Sequence, residues 1–260
     1  MMGPLQVRLA LRDRPMSDVL DLVFRFVAHH FGFYLRTMLV VLVPGYALSL
    51  FAADQAGWTF GWIVAVALAI FAQAPFTVLA SKLVFEDAPT VRQACGAALA
   101  QLPRLLIARL GQAAMVALGT LTCGVGLVYV APASLFLSEA VLLEGISLGD
   151  AATRARRIAA SSGGDSLMAA LLLALGWLAA VFLFGDFMGR KVLEELLEIS
   201  PPPSFVSEGG SYLALAGFWL FVPFAATARF LLYLNMRTKA EGWDVQAKFL
   251  ALTVRAREAA

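Results

Sequence analysis

Residues 130–160 read Val130-Ala-Pro132-Ala-Ser-Leu-Phe-Leu-Ser-Glu139-Ala-Val-Leu-Leu-Glu144-Gly-Ile-Ser147-Leu-Gly-Asp150-Ala-Ala-Thr-Arg154-Ala-Arg156-Arg157-Ile-Ala-Ala160. An apolar run broken by Pro132 leaves its apolar character at Glu144-Gly145 and gives way to a basic segment. Ser147 with Asp150 three residues on has the capping-box form, in which side chains satisfy the free N–H groups of a new helix start. The stretch therefore predicts a membrane helix that exits into water, followed at once by an amphipathic helix on the membrane surface.

The same order of features recurs on either side. Pro75 lies in an apolar run that ends at Glu86-Asp87 and is followed by Thr90-Val-Arg92-Gln93. A looser copy follows Pro223, with Glu241-Gly242 and then Trp243-Asp244. Three copies of one unit set the plan for the whole chain.

Composition agrees. The 260 residues are 60% hydrophobic and 15% charged, where an ordinary soluble domain carries about 25% charged residues. The apolar residues fall into six runs, most of them near the roughly 20 residues needed to cross a bilayer. They cover about 33–53, 58–85, 105–122, 127–143, 167–187 and 212–234. Pro44, Pro75, Pro132 and Pro223 interrupt four of them and predict kinks, because proline removes a helical hydrogen bond. Span three carries Gly111, Ala113, Ala114, Ala117 and Gly119. Small residues allow close helix approach in lipid, which predicts a central position for that span.

Between the runs lie segments of mixed character. Residues 1–16 form a basic leader with Arg8, Arg12 and Arg14, and no cleavable signal is expected there. Ser17 is the predicted cap of a helix with Leu20, Val23, Phe24, Val27 and Phe31 on one face and Asp18, Asp21, Arg25 and His29 on the other. The helix at 90–102 has Val91, Ala94, Cys95, Ala98, Leu99 and Leu102 on its apolar face. Residues 188–210 hold Arg190, Lys191, Glu194, Glu195 and Glu198 on a short predicted helix, then Pro201-Pro-Pro203. The six-span domain covers 17–240, and 241–260 form an amphipathic tail through Trp243, Ala247, Leu250 and Val254.

Charge placement sets the orientation. The N-terminus, the segments after spans two and four, and the tail hold 18 of the 20 Lys and Arg residues, and only Arg190 and Lys191 lie on the other side. The positive-inside rule then places both termini in the cytoplasm. Arg makes up 16 of the 20 basic residues and Ala is abundant, a composition that points to a high-GC bacterium and its inner membrane.

The candidate chemistry is sparse. Glu139 lies five residues before Glu144, about 7.5 Å inside the membrane exit. Arg229 stands eight before Arg237, at a similar depth. Charges inside a span usually pair or line a wet path, so a Glu139–Arg229 contact between spans four and six is the sharp expectation. Snorkelling to the interface is the bland one. Arg92, Arg154, Arg156 and Arg157 on the surface helices are candidate contacts to anionic lipid head groups, worth about 1 kcal/mol per basic residue, or to a protein partner or a second copy of the chain. His29 and His30 are the only histidines, and Cys95 and Cys123 fall on opposite sides of the membrane. No metal site, cofactor or disulfide is expected. The net charge of +2 gives no basis for nucleic-acid binding, and no P-loop or H-E-x-x-H run occurs.

Short motifs at the helix junctions resemble a known group. They are Arg14-Pro-Met-Ser17-Asp-Val-Leu-Asp21, Glu144-Gly-x-Ser147, Leu232-Tyr-Leu-Asn-Met-Arg237 and Glu241-Gly-Trp-Asp244. The chain is similar to bacterial multi-pass proteins labelled by the membrane domain of glycerophosphoryl diester phosphodiesterase, and to YciC-like inner-membrane proteins. The catalytic barrel of the namesake enzymes has no counterpart here, so the resemblance implies an architecture and no hydrolase.

The resulting expectation is an all-α integral membrane protein with six transmembrane helices in three hairpins, each preceded by a cytoplasmic amphipathic helix. Function is expected to be non-enzymatic, as a scaffold or a subunit of a membrane assembly. The alternative is a transporter or lipid-handling protein with a path between proline-kinked spans.

Overall fold

The computed structural model describes residues 14–85, 90–121 and 125–241. Among the described residues all regular structure is helical. Six stretches are long and apolar enough to cross a membrane: Phe31–Ala56, Trp58–Phe85, Leu102–Leu121, Gly126–Glu144, Gly163–Leu196 and Tyr212–Glu241. The predicted features at Arg8, Arg12, Glu86-Asp87, Cys123 and 242–260 lie outside the described residues.

Helix α1 (Met16–His29) starts on Pro15, not on Ser17. Proline fixes its own φ near the helical value and lacks the N–H that a first turn leaves unpaired. The Pro15 carbonyl accepts from the Asp18 and Val19 N–H groups, while the Ser17 hydroxyl turns to Asp18 instead (3.4 Å). The buried face is Val19, Val23, Phe26 and Val27, with Phe24 and Phe31 exposed. The predicted apolar face was thus rotated: α1 lies along the long helix that ends at Glu241, and that contact selects the Val19/Phe26 side.

Helices α2 (Phe31–Ala56) and α3 (Trp58–Phe85) are joined by Gly57 alone. Its φ of 84° is in the left-handed region that favours glycine, and its N–H closes on the Ala53 carbonyl at 2.8 Å. Helix α4 (Val91–Ala100) carries a complete capping box, with Gln93 N–H donating to Thr90 Oγ1 (3.3 Å) and Gln93 Oε1 accepting from Thr90 N–H (3.0 Å).

Helix α5 (Leu102–Leu121) is followed by α6 (Val125–Ser134) and α7 (Leu137–Glu144). The fourth predicted span is thus two helices, with the break at 135–136. Leu135 N–H bonds back to the Pro132 carbonyl in a tightened last turn (3.2 Å). Contacts along this pair step in opposite directions: a Cβ on Gly119 would meet Gly126 and Leu127, Gln112 meets Ser134, and Arg104 meets the Gly145 carbonyl. Helix α8 (Leu148–Ser161) starts at Ser147, whose Oγ accepts from Asp150 N–H (3.2 Å) and donates to the Asp150 carboxylate (2.6 Å). Half of the expected box forms, because the short Asp side chain engages the hydroxyl.

Helix α9 (Gly163–Leu178) continues without a break through a π-helical stretch (Ala179–Met188), α10 (Gly189–Lys191) and a second π turn (Val192–Leu196). Arg190, Lys191, Glu194 and Glu195 therefore extend the fifth long helix rather than forming a helix of their own. A short α11 (Phe205–Glu208) leads into α12 (Tyr212–Glu241). Within the π stretch the backbone of α12 comes very close: a Cβ added to Gly217 would lie 2.1 Å from the Ala180 carbonyl oxygen.

Helix α12 is the central post, buried on every side from Ala225 to Met236. Helices α3 and α2, α1 and the π stretch all pack on it. The small-residue span, α5, lies at the outside instead, with Leu106, Ile107, Leu110, Leu118 and Leu121 exposed. Its Gly111 faces open space. Span six takes the centre because its polar side chains need partners: Thr227 meets Tyr34, Arg229 meets Gln73 and Glu139, and Asn235 meets Arg14, whereas the apolar residues of α5 can face lipid.

Candidate functional site

The interior between α3, α5, α7 and α12 holds a polar cluster. Glu139 is 1% exposed and Arg229 8%, and the structure brings the Arg229 guanidinium to 2.9 Å from the Glu139 carboxylate. The second terminal nitrogen of Arg229 donates to Gln73 Oε1, also at 2.9 Å. Sequence reading had not connected Gln73 to this site. The signal was an amide in the run Phe71-Ala-Gln73-Ala-Pro75, two residues from a proline.

Arg109 is the second residue missed. The charge count groups it with the cytoplasmic residues after span two although it falls within the 105–122 run, and it stands inside α5. There it donates to Gln112 Oε1 (2.7 Å), and Gln112 in turn donates to the carbonyl and hydroxyl of Ser134 (3.3 Å each). Arg109 is close enough to interact electrostatically with both Arg229 and Glu139. Three buried polar atoms here have no hydrogen-bond partner: Arg109 Nε, Arg229 Nε and Ser138 Oγ. An unsatisfied buried donor costs about 1–3 kcal/mol. The cluster holds two cations against one anion.

A second network closes the bundle where α7, α8 and the end of α12 meet. Arg154 contacts Glu144 (2.5 Å) and Glu241 (2.5 Å), Arg237 contacts the same two carboxylates at 3.3 and 2.8 Å, and Tyr233 donates to Glu144. Two arginines balance two glutamates. Of the predicted lipid or partner contacts, Arg154 is consumed by this clamp. Arg156, Arg157 and Arg92 are exposed. Nearby, Asn235 pairs with both backbone groups of Arg14 (3.0 and 3.1 Å), so the described end of the basic leader is tied to α12.

At the opposite end of the fifth long helix, Asp186 is buried and was not singled out from sequence. Its carboxylate accepts from the Ser211 hydroxyl (2.6 Å) and the Phe205 N–H (3.2 Å). Ser211 Oγ in turn accepts from Ala214 N–H at 3.0 Å. Asp186 thereby fastens the 197–211 segment and the start of α12.

Two of the four prolines face a common space. Pro44 and Pro75 line an apolar groove of about 350 Å³ with Gly45, Cys95, Leu99 and Trp219. Burial pushes the Cys95 thiol pKa up. The letters G-x-S-x-G occur at Gly145-Ile-Ser147-Leu-Gly149, contrary to the expectation that the chain holds no such motif. The structure uses this serine as the cap of α8, and both histidines sit on or next to α1, with His30 Nδ1 against the Phe26 carbonyl (3.0 Å). A nucleophile elbow needs a strand-to-helix turn and a histidine in reach, and this serine has neither. Among the described residues no group of three metal-ligating side chains occurs.

No family model matches the chain, and no curated protein and no solved structure matches it.

Proposed function

We propose that this protein is a carrier or lipid-handling protein of a bacterial inner membrane, with three helical hairpins, a cytoplasmic amphipathic helix before each, and both termini in the cytoplasm. The shared architecture with the YciC-like group is part of the same proposal. The observation that carries the function is the Gln73–Arg229–Glu139 cluster with Arg109 beside it. Charges within a span are costly and, where they occur, pair or line a water-filled path. A bundle needing only stability would fill this position with apolar side chains at no loss. Ligand handling gives the cost a use.

A second reading, the scaffold or assembly subunit, is favoured by a different observation. The clamp of Arg154 and Arg237 on Glu144 and Glu241 fixes α8 rigidly, presenting Arg156 and Arg157 outward as a platform for anionic head groups or a partner protein. Affinity purification in mild detergent with mass spectrometry of co-purifying species separates the two. A bound lipid or solute without a protein partner is the expected result. A stoichiometric protein partner with no small molecule would replace the carrier reading by the scaffold.

A further inference from the structure

We propose that the Arg109–Arg229 cluster is a binding site for a single phosphate group, carried by a lipid or free in solution. The inference rests on the carrier or lipid-handling reading and names the chemistry of its ligand.

Charge balance is the first argument. Glu139 is matched by Arg229, whose other terminal nitrogen is matched by Gln73. Arg109 hydrogen-bonds the neutral Gln112 amide and raises the potential at the same place. One negative charge would neutralise the cluster.

The second argument is the pattern of unused donors. Arg109 Nε and Arg229 Nε are both shut away from solvent without a partner, as is the hydroxyl of Ser138, which is 2% exposed. Ser138 follows Ser134 by four residues, and Ser134 faces Gln112. The opposing register of α5 and the fourth span therefore puts Ser138 level with Arg109. Two guanidinium groups and a hydroxyl with unused donors at one level of the bundle can serve an oxyanion with several acceptor oxygens, and the planar guanidinium fork is suited to phosphate. A neutral solute would leave the excess cation unanswered.

The test uses the full chain purified in neutral detergent. Labelled inorganic phosphate is followed by equilibrium dialysis, and dioleoyl phosphatidic acid or dioleoylglycerol by native mass spectrometry. We expect one equivalent of a phosphate-bearing probe per chain and none of dioleoylglycerol. Arg109→Gln should weaken binding at least ten-fold, Arg109→Lys should restore part of it, and Arg156→Gln, on the exposed face of α8, should bind as the wild type does. Saturable binding of inorganic phosphate supports the site with a free anion. Binding confined to phosphatidic acid supports it with a lipid phosphate. Absence of saturable binding by either probe overturns the assignment, as does wild-type affinity in Arg109→Gln. Should Arg109→Gln fail to fold, Ser138→Ala decides: a two-fold or greater loss supports the site and an unchanged affinity overturns it. A co-purifying neutral solute with no phosphate binding would remove this site and leave the carrier reading standing.

Discussion

Replacing Arg229 by Gln removes the guanidinium that holds two partners and leaves a carboxylate that is 1% exposed without its cation. Breaking a buried pair from one side costs about 3–5 kcal/mol. The Gln amide can still donate one hydrogen bond and Arg109 remains nearby, so about 3 kcal/mol is the expected loss. Glu139→Gln keeps an amide oxygen for Arg229 and leaves Gln73 in place but strands the buried guanidinium charge, and should also cost about 3 kcal/mol. The double variant contains no stranded charge at this pair and should cost about 1–2 kcal/mol, well short of the sum. The assay is unfolding in mixed micelles, or thermal unfolding, where 3 kcal/mol corresponds to about 6–12 °C for a chain of this size. Additivity of the two single losses to within about 0.5 kcal/mol would refute direct coupling.

Three further outcomes test other parts of the structure. Gly217→Ala places a Cβ 2.1 Å from the Ala180 carbonyl oxygen, whereas Gly111→Ala meets nothing within 4 Å. The first should lose about 2 kcal/mol or more in the same unfolding assay, and the second should gain about 0.5–1 kcal/mol from helix propensity. Arg154→Gln should cost about 1–2 kcal/mol by opening the clamp on Glu144 and Glu241, while Arg156→Gln stays within about 0.5 kcal/mol, and equal losses would contradict the division between them. Because burial raises the Cys95 thiol pKa, less thiolate exists at neutral pH. Its maleimide reaction in a Cys123→Ser background should be slower than that of a free thiol and should accelerate only at a higher pH.

Helix boundaries were legible where a single residue type forces the backbone. Gly57 ends α2 and begins α3 because of its φ, and Thr90 with Gln93 starts α4 because both side chains satisfy the other's backbone. Glu139 and Arg229 stood out as the rare charges in apolar runs. Their neighbours did not, because an amide such as Gln73 hardly lowers the hydropathy of its run, and Arg109 lies near enough to an end to look solvated. The centrality of α12 was illegible for a different reason. Small residues in α5 state that close approach is allowed, but only three-dimensional packing decides whether any partner takes it up. Asp186 escaped notice because a carboxylate one residue from the end of a predicted span reads as an exit, whereas it holds Ser211 and Phe205.

The position of α12 in chain order has a consequence for biosynthesis. Chains emerge from the ribosome N-terminal end first, so the other five long helices are made before the one they gather around. Glu139 is made ninety residues ahead of Arg229, and in that interval it lacks the guanidinium that pairs with it. A chain interrupted before Ala225 would carry an acid lacking its main counter-charge and helices lacking their common support.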